Sequence, residues 1–386
     1  MKRILMVTTV SITLRTFLRP IAARLRGFEY VIDGLAGDMT RLPDSAGVFD
    51  SVWEVCWSRN PLAIVRNLRS IHQVKEIVCR GEYDLVHVHT PIAAFLTRFA
   101  LRRLRRKRGI RIVYTAHGFH FHDGCSAIKK SAFVLLEKLA GRWTDFLIVI
   151  NNDDYAAARR HRIVPPNHVS LMPGIGVDLA EYSRQDVSLE DVMRLRRELA
   201  FSEAQQFFLM VAEFDPRKRH ADLIRAFASL PDQDCSLVFA GEGRTMAQVE
   251  RMIISLGLAR RVTFLGQRSD IKVLMSASVA VVLPSDREGL PMCIMEALCL
   301  ETPVIGSDIR GIKDLLHGGC GLLVNVGDIR GFSDAMQWVL DHPTESRQIA
   351  RLGRERMKYH SLDVVVAAHK ELYDRALATN QVRRAP

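Results

Sequence analysis

Two carboxylates eight positions apart, Glu288 and Glu296, stand in the stretch PSDREGLPMCIME at residues 284–296. The apolar run VAVVL precedes them, and Pro291 supplies the fixed φ suited to a first helical turn that MCIMEALC continues. The stretch reads as strand, loop and helix start. Backbone N–H groups of Gly289 and Leu290 would then point at an anion above the strand end, and a phosphate fits that description. Carboxylates accept hydrogen bonds and do not bind phosphate, so Glu288 on the loop and Glu296 in the helix would hold hydroxyls. A diphosphate flanked by two sugars, one a ribose, satisfies every part. Spacing alone equally allows a capping acid and an exposed helix glutamate.

Cations for such a diphosphate stand in EFDPRKRH, where Arg217, Lys218 and Arg219 follow another apolar run, FFLMVA. One of them would neutralise charge developing on a leaving group; a basic loop in a basic protein is the plainer alternative. AGEGRT places Gly241 and Gly243 after CSLVFA, where glycine allows close backbone approach to a ligand. The third glycine of the dinucleotide fingerprint is missing, and no equivalent follows the first strand, which argues against a nicotinamide-dependent dehydrogenase.

In YTAHGFHFHDG, His117 sits at a strand end, followed by His120, His122 and Asp123. Histidines alternating within one loop lack the separated ligands that complete a metal site, so a substrate-contacting His117 is expected and no metal. His87 and His89, in YDLVHVHT, divide between packing and a cleft rim. The aspartates of NNDD at 151–154 open a helix and read as an N-cap, and Trp53 and Trp57 read as packing.

These residues need elements to hold them. Short apolar strands alternate with amphipathic helical stretches, first through KRILMVTTV, YDLVHVH, IRIVYTAH and TDFLIVIN. After the turn-rich HVSLMPGIGVDLAEY the rhythm restarts through FFLMVAEF, CSLVFAG, RVTFLG, VAVVLPS, TPVIGS and GLLV. The expected fold class is α/β: two doubly wound Rossmann-like domains facing a cleft. Residues 1–172 would form the first, 173–360 the second, and 361–386 a helix able to pack back on the first. Ligands of such sheets bind outside the carboxyl ends of the strands, where the candidate residues fall.

At 386 residues, two domains are the default, and 48% apolar with 25% charged residues is the balance of a folded protein able to fill two cores. No apolar run approaches the ~18–20 residues of a bilayer span, and Arg15 stands where a signal peptide would carry small residues. The expected location is cytoplasmic. Seven cysteines, with no CxxC pair, exclude a disulfide framework and a zinc site. The net charge of +11 is densest at Arg102–Arg108, either a solvated helix end or a contact for an anionic surface. No aromatic-basic nucleic-acid module accompanies it. Phe133, Leu136, Ala140 and Trp143 recur at helical spacing beside Lys129, Lys130 and Lys138, which suits core packing or peripheral attachment at the inner face of the cell membrane.

Taken in order, AHG, PGIGVD, AGEG, LGQRSDI, EGLPMCIMEAL and TPVIGSDIRG resemble the retaining, family 4-type glycosyltransferases of the two-Rossmann-domain GT-B fold, over nearly the whole chain. HGFHFHDG with the helix after it resembles members that build bacterial surface or exported polysaccharides on a lipid carrier. The resemblance implies a nucleotide-sugar donor, with UDP the expected nucleotide, and a saccharide or polyprenyl-diphosphate-linked acceptor. It implies Glu296 on the ribose, Glu288 and His117 at the transferred sugar, and Gly289, Leu290 and Lys218 at the diphosphate. It also implies a segment from Gly266 to Arg268 near the base, and neither cofactor nor metal. One position departs: many members carry Arg where this chain has Glu213, so Arg217 or Arg219 would supply the missing charge, or the positive helix end would suffice. A sugar-nucleotide 2-epimerase of the same fold and a non-catalytic nucleotide-sugar-binding scaffold are the alternatives.

Overall fold

Strands buried on both faces carry unbroken apolar runs, and such strands pair in parallel with helices covering each side. The computed structural model describes residues 1–39, 47–58, 60, 63–121, 126–202, 204–231 and 235–384. They form two compact units, one of 1–176 with 362–386 and the other of 177–361.

The first unit holds a seven-stranded sheet of β1 (Lys2–Val10), β2 (Tyr30–Gly37), β3 (Val52–Glu54), β4 (Leu85–His89), β5 (Arg111–Ala116), β6 (Phe146–Val149) and β7 (Val169–Leu171). The order is β3-β2-β1-β4-β5-β6-β7, every pair parallel. The second unit holds β8 (Gln206–Val211), β9 (Cys235–Ala240), β10 (Val262–Phe264), β11 (Ala280–Leu283), β12 (Val304–Ser307) and β13 (Leu322–Val324). Its order is β10-β9-β8-β11-β12-β13, again parallel throughout. These are the two doubly wound sheets of the expected fold class.

Both orders reverse once. In the second unit the chain leaves β8 toward β9 on one side and leaves β11 toward β12 on the other. The loops after β8 and β11 therefore diverge and open a crevice at their carboxyl ends. The corresponding reversal in the first unit lies between β1 and β4, beside the strand that carries His87 and His89.

The helix Leu362–Arg384 belongs to the first unit. Its Val365, Val366, Leu372, Tyr373 and Ala376 pack against Ile4, Met6, Ile32, Val113 and Ile148 of the sheet. Gly176 (φ +83°) makes room for this return, since a Cβ there would lie 2.8 Å from Cα of Leu362. Trp53 and Trp57 are packing residues: their indole N–H groups donate to the Tyr83 hydroxyl (2.9 Å) and the Thr9 carbonyl (2.8 Å).

Candidate functional site

The crevice of the second unit gathers Lys218 and Glu288. After β8, Asp215 turns the chain by accepting from the Arg217 backbone N–H (3.1 Å), and a single 3-10 turn, Pro216–Lys218, follows. The Asp286 N–H donates to the Arg217 carbonyl (2.9 Å), tying the loop after β11 to the loop after β8. That bond sets Lys218 Nζ 2.6 Å from Glu288 Oε1, both mostly buried. Burial works against the ammonium, but Glu288 more than offsets it, and the Lys218 pKa is raised. An ammonium has three donors, so two remain for other acceptors.

Pro291 is the N-cap of the helix Met292–Cys299, not a residue of its first turn, with φ −71° and ψ 122°. Glu288 makes no cap bond there, which removes the capping alternative. Gly311 (φ +79°) packs on the Gly289 carbonyl so closely that a Cβ would stand 1.8 Å from its oxygen. That contact fixes the Gly289–Leu290 backbone at the helix start.

Glu296, one turn further on, is not an exposed helix glutamate. Burial pushes its carboxyl up to about 7, while the nearby Tyr182 hydroxyl works in the other direction. Tyr182 is itself held by Arg354, whose guanidinium donates to the carbonyls of Tyr182 (2.7 Å), Cys299 (2.6 Å) and Leu179 (3.0 Å). Neither Tyr182 nor Arg354 was expected at the site; PGIGVDLAEY carries the first, while a single arginine in a late helix gave no signal. Between the carboxylates lies Cys293. Burial pushes its thiol to about 12, with Lys218 pulling it down and Glu288 and Glu296 adding to the rise.

Other expected residues stand differently. Arg217 keeps its guanidinium by Asp215 (2.8 Å) and stays half exposed near Glu288 and Glu213, whereas Arg219 is paired with Asp222 (2.5 Å). Arg244 also reaches Asp215 (3.0 Å), a fourth basic side chain at this loop, and one that the sequence pattern did not single out. Gly241 and Gly243 are required by the protein's own backbone: a Cβ at either would lie 2.1 Å from the Ala212 carbonyl oxygen or 2.6 Å from that of Phe214. Arg268 spends its guanidinium on Glu198 (2.6 and 3.2 Å) and Asp270 (2.8 and 2.7 Å).

His117 lies in the first unit, past the end of β5. Asp154, 1% exposed, holds the next turn by accepting from the Phe119 N–H (3.2 Å). Asn151 performs the capping expected of the aspartates, accepting from Asp154 N–H (2.8 Å). His87 and His89 are both buried, and His87 bonds Tyr373 (2.6 Å) and Thr115 (2.7 Å). His122 and Asp123 lie outside the described residues. Among the described residues no group of three His, Cys, Asp or Glu side chains could hold a metal ion.

Three of the four residues of the apolar stripe around the helix Ala127–Gly141 take the core-packing alternative, and Leu136 alone turns outward. Ala140 is fully buried, Phe133 packs on the core and Trp143 meets Phe95 and Phe99. The side chains turned outward are Ile128 (85% exposed), Leu135 (69%), Leu136 and Leu139. Among the described residues no helix is long and apolar enough to cross a membrane.

Comparison with known proteins identifies the family. A family model described as glycosyl transferase 4-like domain matches residues 14–174, and one described as glycosyl transferases group 1 matches 191–356. EpsD of Bacillus subtilis (strain 168), named as a glycosyltransferase, is 32% identical over 357 residues, 92% of this chain and 91% of its own. The UDP-Gal:alpha-D-GlcNAc-diphosphoundecaprenol alpha-1,3-galactosyltransferase of Escherichia coli is 28% identical, covering 72% of each chain. Among solved structures, HepE of Anabaena in complex with UDP-glucose superposes with a TM-score of 0.80 at 20% identity, over 97% of this chain and 100% of its own. Two family models in tandem and near-full-length likeness to EpsD show that the chain belongs to the group 1 glycosyltransferases of the GT-B fold.

Proposed function

We propose that this glycosyltransferase moves a sugar from a UDP-sugar to a saccharide or lipid-linked saccharide acceptor in bacterial polysaccharide assembly, with retention at the anomeric carbon and without a metal. The observation that carries the reading is the Lys218–Glu288 pair at the start of the helix that also bears Glu296. Lys218, helped by Arg217 and the Gly289 and Leu290 N–H groups, neutralises the diphosphate as it leaves. Glu296 takes the ribose hydroxyls, Glu288 and His117 serve the transferred sugar, and the backbone from Gly266 to Arg268 flanks the base. The acceptor hydroxyl attacks the face that the diphosphate leaves. The donor and acceptor follow the names of the Escherichia coli and Anabaena proteins, and the setting follows the resemblance of the HGFHFHDG stretch.

The leucines exposed on Ala127–Gly141, with Lys129, Lys130 and Lys138 on the same helix, suit attachment to an anionic membrane that presents a lipid-linked acceptor. Proton NMR of the product formed from an α-linked UDP-sugar in EDTA tests the chemistry. An α-linked product formed at full rate is expected, while a β-linked product or loss of turnover would contradict it.

A further inference from the structure

Behind His117 stands a column of side chains that the proposed chemistry does not use. His117 Nε2 lies 3.1 Å from His89 Nδ1, and the two rings are stacked at 28°. His89 in turn rests 4.0 Å from the His87 ring, and His87 spends both nitrogens on the hydroxyls of Tyr373 and Thr115. His89 is thus gripped from both sides.

One nitrogen of the 3.1 Å contact carries the proton, and the two assignments differ in what they leave behind. If His117 Nε2–H donates, neutral His89 must keep its own proton on Nε2. That atom is buried and has no partner among the described residues, so a donor would be orphaned. If His89 Nδ1–H donates, the orphan is only a lone pair, and buried N–H groups are the rarer of the two to go unpaired. Both rings are neutral near pH 7, because burial first and the neighbouring histidines second lower the pKa of each, that of His117 to about 4.

We infer that His89 is a positioning residue whose Nδ1–H fixes His117 in the tautomer that presents its own Nδ1–H to an oxygen of the bound sugar nucleotide. This rests on the reading of His117 as a substrate contact and adds its consequence. His117 offers a neutral donor, and its remaining lone pair is occupied, so it does not take a proton from the acceptor. The acceptors suited to it are a sugar hydroxyl or a phosphate oxygen.

The test is the two-bond ¹H–¹⁵N correlation spectrum of histidine-labelled protein, with the His117 ring assigned by its loss in His117→Ala. The expected pattern is a proton on Nδ1 of His117. His89→Asn places an amide N–H where Nδ1 stood and keeps both that pattern and most of kcat. His89→Gln, of similar polarity, extends to the Nε2 position instead, so His117 turns to mixed tautomers and kcat falls roughly tenfold with KM within about twofold. A proton on Nε2 of His117 in the wild type overturns the inference, as would equal spectra and equal kcat in the two variants. The spectra decide the tautomer whether or not sugar is transferred, so absence of transfer counts against the functional reading alone.

Discussion

Glu296 is poised to titrate near neutrality because its carboxyl is buried beside Tyr182, with its pKa at about 7 instead of the ordinary 4.5. Ligand hydroxyls that donate to a carboxylate favour its ionised form. Protonation therefore competes with the donor: below pH 7 affinity falls with each proton bound, and above it affinity levels off. UDP-glucose is expected to bind about tenfold more weakly at pH 6 than at pH 8. Calorimetric titration checks this, and Glu296→Gln should bind weakly at both. A wild-type dissociation constant that stays flat between the two would show that Glu296 does not hold the ligand. Glu213 is exposed beside Arg217, and Arg217 and Arg244 converge on Asp215.

At the scale of elements, glycines decide how closely the site loops approach. Gly241→Ala drives a Cβ into the Ala212 carbonyl, and Gly311→Ala drives one into that of Gly289. Each should cost about 2–4 kcal/mol in urea denaturation and weaken donor binding, because each displaces a loop that carries Lys218 or Glu288. Gly257→Ala is the control: its φ is +70° but its Cβ would meet nothing, so about 1 kcal/mol and unchanged binding are expected. Equal losses at all three positions would reduce the effect to backbone strain. The strand and helix rhythm was legible because parallel strands buried on both faces must be continuously apolar, as in CSLVFA and IRIVYTA. Three strands of the first unit did not stand out: β2, whose run YVIDGLAG is broken by Asp33, Gly34 and Gly37, and β3 and β7, three residues each and partly exposed. The candidate site was half legible. Lys218 and Glu288 were visible as residues following strands, whereas Tyr182, Arg354 and His89 act through partners dozens of positions away, and no local pattern encodes those contacts. The glycines of AGEG were visible too, but spacing cannot tell a ligand from the protein's own backbone as the thing approached.

For the molecule as a whole, each unit is open to its own test. The first carries the exposed Ile128 and Leu135, and replacing both by glutamate should leave the fold intact and abolish co-sedimentation with anionic vesicles. Retained co-sedimentation would place membrane attachment elsewhere. The second unit carries the central claim, that Lys218, Glu288 and Glu296 together form a nucleotide-sugar site. A thermal-shift comparison of UDP-sugars with GDP- and ADP-sugars, on the wild type and Glu296→Ala, tests it most directly. A UDP-sugar at about 100 times its dissociation constant should stabilise the wild type by about 2.7 kcal/mol, with most of that gain gone in the variant. A folded protein that no nucleotide sugar stabilises, or one stabilised equally with and without the Glu296 carboxylate, would contradict the account.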